Sequence, residues 1–203
     1  MRFEAFYQRL SKEQYPVFSC RDLSAFFPNE KMATLKQGLS RWKKNKFVSS
    51  LKRDLYELTF PKPQNLSDLY LANKIYSPSY ASLETALSHY SMIPEVSISV
   101  LSVTAKPTRR FKNSHGLFVY RSVQPKAFCG YGIENHGGFD VLIAEPEKAL
   151  ADFLYFNSSG AFKADLKELR LDMKKVAGLN KKKFDHYGRI YGIDVLGMLY
   201  AYL

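Results

Sequence analysis

The carboxylates Asp140, Glu145, Glu147 and Asp152, gathered around Lys148, come nearest in this chain to a hydrolytic set. Metal-dependent nucleases place an acid and a Glu-x-Lys pair on adjacent strand ends, because a divalent ion needs converging carboxylates and the lysine assists the attacking water. The spacing here departs from that pattern. Glu145 and Lys148 are three apart, Glu147 and Lys148 are adjacent, and Pro146 turns the chain into a helix where a strand would have to continue. Helix capping and surface charge account for these acids more simply, so no catalytic residue is assigned and a nuclease stays a minor alternative. His89, His115, His136 and His186 are scattered without metal-ligand spacing, and Cys20 and Cys129 make no CxxC pair. Both cysteines read as reduced structural thiols, and neither a metal nor a cofactor is expected. The glycine-rich phosphate and dinucleotide loops, GxSxG and HExxH are absent from the sequence.

A second chemistry, recognition without catalysis, is carried by residues 29–58. Met32, Leu35, Leu39 and Trp42 follow one another at steps of three, four and three, which stacks them on one face of a helix expected over Glu30–Lys44 with Asn29 as its cap. Gln37 then lies opposite Leu35, among Thr34, Arg41 and Lys44, with Lys31 and Ser40 also outside the apolar stripe. Such side chains suit base edges and phosphates. Phe47, Val48 and Leu51, then Leu55, Tyr56 and Leu58, read as two short strands joined by Lys52-Arg53-Asp54, a turn with cations at its tip. The candidate DNA contacts are therefore Ser19, Lys31, Thr34, Gln37, Ser40, Arg41, Lys44, Lys52 and Arg53, and double-stranded DNA is the expected partner.

The elements that must position these residues precede them. Phe3, Phe6, Tyr7 and Leu10 pattern a support helix over Arg2–Leu10, and Ser19 stands as N-cap before a second helix that ends ahead of Pro28. Helix, helix, then basic helix and hairpin is the order of a winged helix-turn-helix. Prolines at 61 and 63 deny the chain both a central strand and a helix, which places a boundary between a DNA-binding domain, 1–62, and a second domain, 63–203. Charge is divided unevenly across it. The chain of 203 residues carries a formal +11, and residues 1–62 hold 13 Lys and Arg against 6 Asp and Glu, so the smaller domain holds most of the excess. A polyanionic partner fits that distribution. No run of about twenty apolar residues occurs and the first ten residues lack a secretory pattern, so a cytoplasmic protein without membrane association is expected.

Beyond the boundary, short helices are expected over Leu66–Ile75 and Ser82–Tyr90, with Ser82 as N-cap. From Val96 the pattern turns to period two and β-branched residues, with further strands over Gly116–Val123, Ala127–Ile133 and Phe139–Ala144 and a turn at Asn135-His136-Gly137-Gly138. An antiparallel sheet is the simplest assembly of these. Lys106–Lys112 reads as a basic loop, in which Arg109, Arg110 and Lys112 form a secondary candidate patch. A helix starts at Pro146, and amphipathic helices over Lys163–Ala177 and Lys181–Leu203 close the chain. The fold class is α+β: a winged helix-turn-helix followed by a mixed domain with an antiparallel sheet and C-terminal helices.

Several of these strings together resemble the AbiEi family, antitoxins and transcriptional regulators of abortive phage-infection systems. They are residues 79–87 (SYASLETAL) followed by Ile93-Pro94, Ser102-Val103-Thr104, Phe128-Cys129-Gly130, and residues 144–152 (AEPEKALAD). The resemblance spans most of residues 15–160. It implies an N-terminal winged helix that binds inverted repeats in its own promoter and represses the operon. It also implies a C-terminal antitoxin domain that opposes a nucleotidyltransferase-like toxin in the type IV manner, without a stable toxin complex. The family's wing closes on an Arg-Gly-Val-Tyr-like turn, whereas this chain has Arg53-Asp54-Leu55-Tyr56, and aspartate tolerates the left-handed backbone conformation that glycine supplies there. The chain is short for the family, and residues 160–203 carry no family motif. The alternative is a protein-interaction or neutralising module, in which residues 63–203 carry the activity and the basic unit only localises it.

Overall fold

The computed structural model of the protein describes residues 2–61, 65–95, 98–158 and 170–200. The chain divides into two compact units, Met1–Leu66 with Lys112–Ser114, and Ser67–Phe111 with His115–Leu203. Helices and sheets occur in both, so the class is α+β.

In the first unit, helices α1 (Phe3–Lys12), α2 (Cys20–Phe26) and α3 (Met32–Lys44) pack with strands β1 (Val17–Phe18), β2 (Val48–Lys52) and β3 (Leu55–Leu58). The strands form an antiparallel sheet in the order β1-β3-β2. The sequence pattern gives only the hairpin; β1 is too short to show a period, and it exists because Val17 and Phe18 pair with Glu57 and Tyr56 across the fold. Phe6, Leu10, Phe18, Leu23, Leu35, Leu39, Trp42, Val48 and Leu58 bury together. The Phe6 and Trp42 rings stack with centroids 4.4 Å apart. A Cβ at Gly38 would stand 3.2 Å from the Trp42 ring, so a residue that weakens a helix interior leaves the indole its place.

Helix α2 starts with a reciprocal cap: Ser19 Oγ accepts from Asp22 N at 3.2 Å, while Asp22 Oδ2 accepts from Ser19 N at 2.7 Å. Replacing Ser19 by alanine should lower stability by about 1 kcal/mol, read as a shifted urea midpoint. Asn29 does not cap α3. The chain turns through a Glu30 N to Phe27 O hydrogen bond, helical geometry begins only at Met32, and the cap position falls to Lys31, which offers no side-chain bond. Met32, at the first helical position and at the edge of the apolar stripe, is 40% exposed where the spacing placed it inside.

In the second unit a six-stranded sheet has the order β6-β7-β5-β4-β9-β8, formed by β4 (Tyr80–Ala81), β5 (Ser99–Thr104), β6 (Arg109–Asn113), β7 (Gly116–Ser122), β8 (Tyr131–His136) and β9 (Phe139–Ala144). The sheet is mixed, not antiparallel. β5 runs parallel to β7 and β4 parallel to β9, while β4–β5 and β8–β9 are antiparallel. Its centre is held by the two-residue strand β4, which no period-two pattern could announce. The expected strand over Ala127–Ile133 is displaced to Tyr131–His136, because Pro125–Ala127 winds into a short 3-10 turn. The expected basic loop is strand β6, the terminal strand of the sheet, with Arg109 and Arg110 exposed at its start. Gly137 and Gly138, both at positive φ, make the two-residue turn between β8 and β9.

Helices α4 (Asp68–Ile75), α5 (Leu83–His89) and α6 (Pro146–Ser158) belong to this unit with α7 (Met173–Ala177), α8 (Lys181–Tyr191) and α9 (Val195–Tyr200). The single helix expected from Lys181 onward is broken: Gly192 takes a left-handed conformation and closes α8, and Asp194 Oδ1 accepts from Gly197 N to start α9. Readings on Lys62–Gln64, Val96 and Lys163–Leu169 lie outside the described residues.

Candidate nucleic-acid interface

On α3 the buried residues are Leu35, Gly38, Leu39 and Trp42. At 3.6 residues per turn the point opposite them falls among Ala33, Gln37, Ser40 and Lys44, all exposed. Two of these side chains are short, so the helix axis can approach a partner closely while Gln37 and Lys44 reach past them. Arg41 and Thr34 lie on one flank, Arg41 exposed and Thr34 half-buried, and Lys31 is exposed at the helix start. The other flank was missed in the sequence. Met32, Lys36, Ser40 and Lys43 form a stripe that faces a concave cleft of about 700 Å³, shared with Arg21 and Ser24 of α2 and Arg53 and Asp54 of the hairpin. Steps of four, four and three, read for cations instead of apolar residues, would have found it.

The cleft holds four cations, Arg21, Lys36, Lys43 and Arg53, against one carboxylate, Asp54. Asp54 is already engaged, since its Oδ1 accepts from Cys20 N at 3.3 Å. It stands at φ +60° in the turn, so an aspartate does adopt the left-handed conformation that the turn requires. Lys52 ends β2 and is half-buried, whereas Arg53 is exposed at the tip. Ser19 Oγ donates its proton to Asp22 Oδ2 while it accepts from Asp22 N, so in this arrangement it has no proton to offer a phosphate. Burial pushes the Cys20 thiol up to about 11, Asp54 adding to the effect and Lys36 opposing it, so the thiol stays protonated at neutral pH. Arg109 and Arg110, adjacent on β6, point to opposite faces of that strand and do not form one patch.

The acids considered for hydrolysis are dispersed. Asp140 accepts from Asn135, Glu147 accepts from Asn180 N at 2.8 Å, and Glu145 takes Lys183 at 3.0 Å and the Tyr187 hydroxyl at 3.0 Å. Among the described residues they make no metal-binding group. The Lys183 hydrogen bond, with burial opposing it and Tyr187 reinforcing it, holds Glu145 below the ordinary glutamate range. A depressed carboxylate stabilises the fold at higher pH and loses that contribution as pH falls through its folded-state value. The gap in urea midpoint between wild type and Glu145→Gln should therefore be present at neutral pH and close on acidification.

Surface charge does not account for Asp152, because it and Lys148 are fully buried. They form an i,i+4 ion pair on α6. Lys148 Nζ also donates to Tyr80 Oη at 2.9 Å and Tyr191 Oη at 2.8 Å, so its three protons are placed. Asp152 accepts from Lys148 and Tyr191 at Oδ1 and from Ser82, at 2.7 Å, and Tyr80, at 3.1 Å, at Oδ2, which uses its four lone-pair sites. This explains why Ser82, in the N-cap position of α5, gives that helix no side-chain cap. Every donor of the network and every Asp152 lone-pair site is engaged, and the network joins β4, the start of α5, α6 and α8. Leu83, next to Ser82, sits at φ +56°, a strained value for leucine.

The structure also brings His89, distant in sequence, to Glu134 and His136. His89, at the end of α5, and His136, on β8, both direct Nε2 toward Glu134 Oε2.

No known protein-family pattern and no characterised protein matches the chain. No helix among the described residues is long and apolar enough to cross a membrane.

Proposed function

We propose that the protein is a sequence-specific DNA-binding repressor whose first unit works as a winged helix-turn-helix. The carrying observation is the exposed face of α3, with Gln37, Ser40 and Lys44 at its centre beside the four-cation cleft between α2, α3 and the hairpin tip. In this reading α3 enters the major groove, where Gln37 reads a base edge through paired amide bonds. Lys36, Lys43, Arg21 and Arg53 take the phosphodiester backbone that runs along the cleft. The excess of cations in residues 1–62 supports the same assignment.

The strings that resemble those of the AbiEi family extend the proposal to the second unit. It would carry an antitoxin activity against a nucleotidyltransferase-like toxin encoded alongside, with the operon repressed through inverted repeats in its promoter. A reporter fused to the DNA upstream of the gene tests the first part: supplying the protein in trans should lower reporter output, and Gln37→Ala with Lys44→Ala should restore it. Unchanged output with wild-type protein would remove repression. Co-expression of the full chain with the neighbouring gene product tests the second part, with rescue of growth as the expected result and persistent toxicity as the opposing one.

A further inference from the structure

The last turn of α5 and strand β8 carry side chains for which DNA binding has no use. Strand geometry puts Glu134 and His136 on one face of β8, two residues apart. His89 reaches them from α5. His89 Nε2 lies 2.9 Å and His136 Nε2 3.2 Å from the same oxygen, Glu134 Oε2, and the three potential ligand atoms all lie within 4.8 Å of one another. Ligand bonds to zinc of about 2.0–2.2 Å at tetrahedral angles set neighbouring donor atoms about 3.3–3.6 Å apart, so the His136 separation is close to that of a shared ion and the His89 separation needs only a small opening from its 2.9 Å contact.

The carboxylate is oriented from behind. The Tyr90 hydroxyl shares its one proton between Ala144 O, 2.9 Å away, and Glu134 Oε1, 3.2 Å away, which biases which carboxylate oxygen faces the imidazoles. Side-chain exposures of 29%, 35% and 24% for His89, Glu134 and His136 leave the remaining coordination positions to water. The three residues belong to one compact unit.

We propose that His89, Glu134 and His136 bind a divalent transition-metal ion through the two Nε2 atoms and the Glu134 carboxylate. Each imidazole turns its Nε2 lone pair to the ion and keeps its proton on Nδ1. Two imidazoles select zinc or cobalt over magnesium or calcium, which take oxygen ligands. The bound ion clips the end of α5 to β8, and its open positions face solvent.

The test uses the untagged full-length protein and the metal ions themselves. Competition against a chelating dye should give one Zn²⁺ per chain with micromolar or tighter affinity and no comparable Mg²⁺ binding. Glu134→Gln and His136→Asn should each weaken Zn²⁺ by about tenfold or more, Tyr90→Phe by about tenfold through the loosened carboxylate, and His186→Asn not at all. Co²⁺ should give visible absorption of a four- or five-coordinate ion without the thiolate charge-transfer band that Cys20 or Cys129 would add. Equal Zn²⁺ affinity in wild type and in folded Glu134→Gln would overturn the site. So would the weak spectrum of fully hydrated Co²⁺ in the wild-type protein, which decides the matter even where a variant fails to fold.

Discussion

Lys148→Met is expected to destabilise the second unit by about 3–5 kcal/mol, the cost of removing one partner from a buried ion pair. Methionine preserves length and apolar bulk, so the loss reports charge and hydrogen bonding rather than a cavity. In its absence Asp152 keeps the hydroxyls of Tyr80, Ser82 and Tyr191 but loses its counter-charge in a site with no exposure. Asp152→Asn leaves the opposite defect, an ammonium held by two phenols. Because the residues act as one network, the double variant should differ from the sum of the singles by about 0.5–3 kcal/mol. Urea unfolding followed by far-UV circular dichroism measures all three. Additive, sub-kilocalorie effects would mean that the pair is not buried as described.

The second large effect belongs to the face of α3. Gln37→Ala should cost about 1–3 kcal/mol against the specific duplex and almost nothing against random DNA, because a paired amide contact to a base edge is lost. Lys43→Ala and Arg53→Ala should behave otherwise. If each side chain supplies a phosphate contact in the proposed complex, its loss should weaken binding on every sequence and flatten the slope of log affinity against log salt by about 0.9 per contact. Arg41 on the flank carries the same base-reading test, with a loss of about 1–3 kcal/mol if it reaches a base edge. The two signatures separate a reader of sequence from a generic cationic surface. Fluorescence anisotropy with both duplexes at several salt concentrations resolves them, and a Gln37→Ala loss equal on both duplexes would assign that side chain to the backbone.

What the sequence discloses about this molecule is local chemistry. Ser19 before Asp22, Asp54 in a tight turn, Gly137-Gly138 and Pro146 each act on the backbone within a few residues, and each stands where its chemistry requires. The apolar stripe of α3 is readable for the same reason, apart from Met32, which stands at the exposed first position of the helix. Pairing over distance is not readable. Strands β1 and β4 have two residues each, too few for a pattern, and become strands only through partners supplied by distant segments. The parallel pairing of β5 with β7 is likewise a property of topology, and it turns the expected antiparallel sheet into a mixed one.

Charged residues misled in a related way. Lys148 and Asp152 have the spacing of a surface helix pair, and Tyr80 of β4, Ser82 at the start of α5 and Tyr191 of α8 make their burial tolerable. His89 and His136 are far apart in the chain, so no ligand spacing could announce that both meet Glu134. On the candidate interface the outward residues Gln37, Ser40 and Lys44 follow from helical period alone. The cleft does not, since Arg21, Lys43 and Arg53 share it only once α2, α3 and the hairpin are packed.

The central claim is that α3 and the hairpin read a DNA sequence. Its most direct test is an equilibrium titration of the full-length protein against the duplex upstream of its own gene and a random duplex of equal length, at matched salt. Specific binding is expected to exceed non-specific binding by about a thousandfold or more. Equal affinity for the two duplexes would contradict the claim.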